Sequence, residues 1–152
     1  MISLAEVYAV VLAVVFGAAI GAEREFNGKA AGLRTNVLIC VGAAVFTIIS
    51  GKMAAGHADS LTRIAAQVVT GVGFLGAGAI IQDRGGVHGL TTAATIWVVS
   101  SIGMACGAHF YLLALVSCVM TIGVLLGLGE LTMSLQRGKK KRRPPEPGDQ
   151  QI

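Results

Sequence analysis

Long stretches without a charged residue constrain this chain more than any other feature of its sequence. Residues 7–22, 35–51, 64–82 and 85–129 contain no Asp, Glu, Lys or Arg. A helix that crosses a bilayer needs about 20 mostly apolar residues. Each of the first three stretches accommodates one such helix, and the fourth accommodates two, with a break near Gly107. We therefore predict five transmembrane helices, at roughly residues 4–22, 36–51, 64–82, 90–106 and 110–129.

The composition supports an all-α, polytopic integral membrane protein. Only 13% of the residues are charged, against about 25% in a typical soluble domain. The remaining charges are too few to cover a soluble surface, which excludes a soluble monomer. The 21 glycines are typical of short helices that pack closely within a membrane.

The distribution of charge predicts the orientation and a separate tail. Residues 1–136 carry as many basic as acidic side chains, so the net charge of +4 belongs to residues 137–152. Lys and Arg collect on the cytoplasmic side of membrane proteins, which predicts a cytoplasmic C-terminus and an N-terminus outside. We expect residues 137–152 to be a disordered, Pro-containing tail. A basic tail behind apolar segments indicates contact with anionic lipid, not with nucleic acid, through Lys139, Lys140, Lys141, Arg142 and Arg143.

A glycine-rich segment in the third helix matches the dinucleotide-binding pattern G-x-G-x-x-G. A dinucleotide site needs a preceding strand, a following helix and an acid about 20 residues further on. This segment lies inside an apolar helix, and the next acid is Asp83. We therefore predict close helix packing at Gly71, Gly73, Gly76 and Gly78, and we expect this third helix to be the central one.

Polar residues gather where the sequence places the cytoplasmic helix ends. One interpretation is a solvated loop that only sets orientation, with threonines bonded to their own backbone. The other is a functional cluster organised by Arg34, whose planar fork can bind Glu23 or Glu25. Orientation alone does not account for the two acids, because acids contribute little to it. The predicted cluster comprises Glu23, Arg24, Glu25, Arg34, Asn36, Asp83, Arg84, Thr91 and Thr92.

A smaller polar set, Asp59, Arg63 and Gln67, flanks the opposite entry to the third helix. It fits a helix cap with a satisfied amide, or a carboxylate at which an ion enters. The middle of every predicted span lacks an acid, and no His or Cys spacing matches a metal site. We therefore expect no metal, no cofactor and no enzymatic activity.

Five segments resemble the MgtC/SapB family in order and spacing. They begin at Gly21 (GAERE), Ala31 (AGLRTN), Arg63 (RIAAQVV), Gly73 (GFLGAG) and Gly89 (GLTTAATIW). The resemblance covers roughly residues 4–129 and implies a bacterial inner-membrane protein linked to magnesium limitation, acid stress and survival in a host. His88 stands where the family commonly has arginine, so a role for that residue does not carry over. Some members carry a soluble C-terminal domain; here we expect only the basic tail, so the function of that domain does not carry over.

The resemblance leaves two functions open. The first is regulation or scaffolding of other membrane proteins in magnesium homeostasis and stress adaptation. Its expected partners are other membrane proteins and a second copy of the chain, as a homodimer. The alternative is a transporter or channel for magnesium or another cation. We favour regulation, because the sequence offers a polar cytoplasmic face but no carboxylate within the membrane.

Overall fold

The computed structural model describes residues 2–54, 58–83 and 86–140. Within them, five helices confirm the prediction of an all-α protein. Helix α1 begins after an N-cap at Ser3, whose hydroxyl accepts a hydrogen bond from the backbone of Glu6. The helices are α1 (Leu4–Phe26), α2 (Leu33–Met53), α3 (Ala58–Gly78), α4 (Leu90–Gly107) and α5 (Tyr111–Lys140).

A short antiparallel hairpin stands where the sequence predicted the end of the third helix. Helix α3 ends at Gly78, and strands β1 (Ile81–Asp83) and β2 (Gly86–His88) follow it. Gly89 then starts α4 with φ of +86°, in the left-handed region, where glycine carries no steric penalty. Only Ile81 and Gln82 of the hairpin were predicted to be helical, because charge-free length alone could not separate them from the helix before them; Asp83 and β2 lie between the predicted third and fourth helices.

Helix α5 extends further than predicted. It continues to Lys140, so residues 137–140, which we placed in the disordered tail, are helical. Leu, Met, Gln, Arg and Lys are good helix formers, so the helix does not stop where its hydrophobic run stops. Lys141, Arg142 and Arg143 lie outside the described residues.

Four of the helices are long and apolar enough to cross a membrane: α1, α2, α4 and the part of α5 from Tyr111 to Leu128. The apolar part of α3 is shorter, from Ala65 to Gly78. The full 21 residues of α3 measure about 32 Å at 1.5 Å per residue, close to the roughly 30 Å hydrocarbon core. If α3 crosses the bilayer, its first turns, with Arg63, must reach the headgroups.

The orientation remains a prediction with a direct test. We expect a reporter fused at residue 152 to give a cytoplasmic signal and one inserted between α2 and α3 to give an external signal. The physical reason is the concentration of Lys and Arg on one side. Cytoplasmic signals from both sites would contradict the five-span arrangement.

Helix α2 is the centre of the first compact unit, Met1–Thr121. It makes the most extensive contacts, against α1, α4 and α3; α4 also packs against three helices, α1, α2 and α3, whereas α3 packs against α2 and α4. Our expectation that α3 is the central helix was therefore wrong. The remaining unit is Ile122–Ile152, whose described residues are helical.

Glycines of α1 and α4 produce the close contacts with α2. A Cβ added at Gly17 would lie 2.9 Å from the carbonyl oxygen of Asn36. A Cβ at Gly103 would overlap the carbonyl oxygen of Cys40, and one at Gly107 would overlap that of Ala44. The backbones of three helices therefore touch where small residues permit it.

Candidate functional site

A buried arginine joins two helices at the end of the bundle that holds the α1–α2 loop, which we call the loop-1 end. Arg24 lies in the last turn of α1 and is 4% exposed. Its Nη2 donates a hydrogen bond of 2.8 Å to Oγ1 of Thr92, in the first turn of α4. The sequence predicted that these residues belong to one cluster, and the fold brings them into contact across 68 positions.

The geometry of α1 encloses this arginine. Ile20 and Gly21 precede Arg24 by four and three residues, so all three share one helix face, and all three are buried. A Cβ added at Gly21 would lie 2.8 Å from Cα of Leu33, so α1 and α2 meet closely beside Arg24. The Arg24 Nε is buried and has no recorded hydrogen-bond partner. A buried guanidinium is costly when its hydrogen bonds are incomplete.

Asn36 fixes the loop at this end. It is fully buried in the first turn of α2, where its Nδ2 donates to the carbonyl oxygens of Ala31 and Gly32. Its Oδ1 is buried without a recorded partner. The side chain also packs against α1, since a Cβ at Gly21 would lie 3.2 Å from that of Asn36.

The two acids in the last turn of α1, Glu23 and Glu25, form hydrogen bonds to nearby residues. Oε2 of Glu25 accepts a hydrogen bond of 3.0 Å from the backbone N–H of Leu33. A carboxylate there satisfies a free N–H at the start of α2 and complements the helix dipole. Oε1 of Glu23 accepts from Nδ2 of Asn27 at 2.8 Å, while its Oε2 is buried without a recorded partner.

Arg34 does not organise this cluster. It is exposed on α2, and the structure pairs it with neither Glu23 nor Glu25. The physical reason is register: Arg34 starts α2 on its solvent-facing side, whereas Asn36 faces α1. The buried position at the loop-1 end belongs to Arg24.

The remaining predicted cluster residues divide between two outcomes. Thr91 is exposed, and its carbonyl oxygen accepts a bond of 2.8 Å from Oγ1 of Thr95, so this part of the threonine segment is satisfied locally. Thr92 instead faces α1. The side chain of Asp83 and the whole of Arg84 lie outside the described residues.

The structure does not gather the predicted polar set at the opposite entry to α3 into one buried cluster, as it does Arg24 and Thr92. Arg63 and Gln67 are both exposed, and Gln67 lines an apolar cleft between α2 and α3. The side chain of Asp59 lies outside the described residues.

Of the four glycines predicted to pack, Gly76 alone faces another helix among the described residues. A Cβ added there would lie 3.6 Å from the carbonyl oxygen of Ala93. At Gly71, Gly73 and Gly78 an added Cβ would meet no described atom within 4 Å. The prediction of close packing is therefore wrong for these three glycines within a single copy of the chain. The correct positions, on α1 and α4, carried glycine pairs four residues apart, which we overlooked.

A second polar group, far from the loop-1 end, was missed. Nζ of Lys52 lies 2.8 Å from Oε2 of Glu6, which joins the end of α2 to the start of α1. Glu6 also forms a capping box with Ser3. The spacing of Ser3 and Glu6 is the usual sequence signal for that box and could have revealed it.

Among residues 2–54, 58–83 and 86–140, no three His, Cys, Asp or Glu side chains are grouped so that they could hold a metal ion. The polar groups brought together at the loop-1 end are a guanidinium, a hydroxyl, an amide and the carboxylates of Glu23 and Glu25.

The sequence is similar to those of several known proteins. A model of the MgtC family matches residues 10–133. "Putative magnesium transporter YhiD" of Escherichia coli K12 is 48% identical over 134 residues, which cover 82% of this chain and 61% of that protein. "Protein MgtC" of Brucella abortus strain 2308 is 42% identical over 135 residues, covering 89% and 56%.

"Protein MgtC" of Salmonella typhimurium LT2 is 46% identical over 110 residues, covering 72% of this chain and 46% of that protein. The chain thus spans about half of the length of these relatives. No solved structure matches it.

Proposed function

The chain belongs to the MgtC family, and from that premise we propose that it regulates or scaffolds other proteins of the bacterial inner membrane. The process it serves is magnesium homeostasis and stress adaptation. In this proposal it acts by binding partner proteins and not as an enzyme.

The buried guanidinium of Arg24 is the observation that carries this proposal. The most enclosed charge of the loop-1 end is positive, and it is hydrogen-bonded to Thr92. A magnesium ion at this place would meet repulsion from a permanent positive charge. Binding of a partner protein needs no cation at this place, so the buried positive charge does not oppose it.

The packing between α1, α2 and α4 also favours a scaffold. Gly17 and Gly21 bring α1 against α2, and Gly103 and Gly107 bring α4 against α2. Backbones in such contact leave no passage for a hydrated cation along these two interfaces.

Transport of magnesium or another cation is the alternative. It is favoured by the name of the Escherichia coli relative, which calls that protein a putative magnesium transporter. In this alternative the ion pathway would lie outside the α1–α2 and α2–α4 interfaces, where glycines bring the helix backbones into contact.

Magnesium flux separates the two functions. We expect purified protein in liposomes to give no more magnesium flux than empty liposomes, while the same gene supports growth of a deletion strain in low magnesium. Repulsion by Arg24 and the closed interfaces are the physical reasons. Saturable flux well above the empty-liposome control would overturn the regulatory proposal in favour of transport.

The proposed partners at the membrane surface are anionic lipids. Lys139, Lys140, Lys141, Arg142 and Arg143 would bind them, each contributing about 1 kcal/mol near such a surface. The structure supports this to the extent that Lys139 and Lys140 continue the helix α5.

A further inference from the structure

An open cleft runs between α2 and α3. Its volume is about 530 Å³. The walls are almost entirely apolar, and they come from two helices that pack against each other. The residues that matter below are Leu38, Gly42 and Phe46 of α2 and Gln67, Gly71 and Leu75 of α3.

The walls of the cleft are open at two glycines. A Cβ added at Gly42 or at Gly71 would meet no described atom within 4 Å. Two glycines therefore expose backbone to the cleft from opposite walls. Such surfaces allow a helix to approach closely, and within a membrane close van der Waals contact is a main source of helix association.

Gln67 indicates that a helix lying in the cleft should offer a hydrogen-bond partner. It is nine residues beyond the start of α3, which puts it about 14 Å along the helix at 1.5 Å per residue. Its side chain is exposed, and the structure records no hydrogen bond from it to another described residue. If α3 crosses the bilayer, as the five-span prediction has it, this depth lies within the hydrocarbon, where an amide without hydrogen bonds is unfavourable. Lipid chains offer no partner for it.

We propose that the cleft is the interface of a homodimer, in which α3 of a second copy lies against α3 and the two Gln67 amides bond to each other. In a two-fold interface, residues on the axis face their own copies. A primary amide carries both a donor and an acceptor, so two copies of Gln67 satisfy each other reciprocally.

The positive charges of Arg63 do not prevent this arrangement. Arg63 lies eight residues, or about 12 Å, from Gly71 along α3. Helices that touch at small residues commonly cross at about 40°. Two helices crossing near Gly71 would therefore have separated by roughly a further 8 Å at Arg63, where headgroups and water screen like charges.

Disulfide cross-linking tests the placement of the interface, with a control from the same helix. Gly71→Cys should give a cross-linked dimer in membranes under mild oxidation. Gly73→Cys should not, because it lies about 200° around the helix and does not line the cleft. Both glycines have open space, so both variants should insert normally. The native cysteines are all buried, and the unmodified chain measures their background.

The amide pair is tested by Gln67→Leu, with Thr70→Val as the control. Thr70 is also exposed on α3, but its hydroxyl already donates to the carbonyl oxygen of Ala66. We expect Gln67→Leu to lower the dimer association constant, measured by energy transfer between labelled copies in liposomes, by about threefold to tenfold. Thr70→Val should leave it unchanged.

Three outcomes would overturn the proposal. They are equal cross-linking at Gly73→Cys, cross-linking of Gly71→Cys only to a different protein, and an unchanged association constant in Gln67→Leu. Equal cross-linking at Gly73→Cys and an unchanged association constant would leave the regulatory function untouched, because both concern only the placement of α3. Cross-linking to a different protein would overturn the homodimer and would itself support binding of a partner protein.

Discussion

Gly103→Leu is expected to remove the folded protein from the membrane, whereas Gly73→Leu leaves it folded. A Cβ at Gly103 would overlap the backbone oxygen of Cys40 and lie 3.0 Å from Cβ of Ala43. Because backbone atoms cannot move aside as a side-chain tip can, α4 must separate from α2. Overpacking usually costs about 1–3 kcal/mol, and we expect the upper end of that range or more here.

Gly73→Leu is a matched control, because it adds the same side chain to a helical glycine that faces open space. It also gains helix propensity. Unfolding of both variants in a detergent titration, together with their abundance in membranes, measures the difference. Equal stability of the two variants would show that the α2–α4 contact does not hold the bundle together.

These two glycines also show what sequence pattern could and could not establish. The number of helices followed from charge-free length, because a membrane fixes how long an apolar helix must be. Charge-free length did not predict which face of each helix packs against its neighbours. A glycine-rich helix exposes small residues on several sides, and the partner positions on the other helix decide which side is used. Gly73 was selected for its dense local motif, while Gly103, in a sparser segment, makes the contact.

The polar cluster shows the same limit. Sequence placed Arg24, Asn36 and Thr92 at one end of the bundle, because they lie near helix ends that topology brings together. It could not tell which arginine points inward. Arg24 follows buried Ile20 and Gly21 on one helix face, and that register encloses it. Arg34 stands two residues before the inward Asn36, so it faces outward. Knowing the buried face of each helix was necessary to make this choice.

Arg24→Met and Thr92→Val are expected to destabilise the protein by amounts that do not add. Each removes one partner of a buried hydrogen bond of 2.8 Å, and each leaves the other partner unsatisfied. Hydrogen bonds to charged groups contribute about 1.5–3 kcal/mol. We expect a coupling free energy in that range from a double-mutant cycle, measured by unfolding in detergent.

The chain supplies its own control cycle in Arg34→Met and Thr91→Val. These residues have the same types and belong to the same segments, but both are exposed, so their effects should be small and additive. Arg24→Met and Arg34→Met each remove one positive charge from the same loop, so any effect on orientation is equal in the two. Growth support in low magnesium should fall strongly in Arg24→Met at comparable abundance and stay near wild type in Arg34→Met. If Arg34→Met lost growth support and Arg24→Met kept it, Arg34 would be the organising residue. The main support for regulation through the loop-1 end would then be lost.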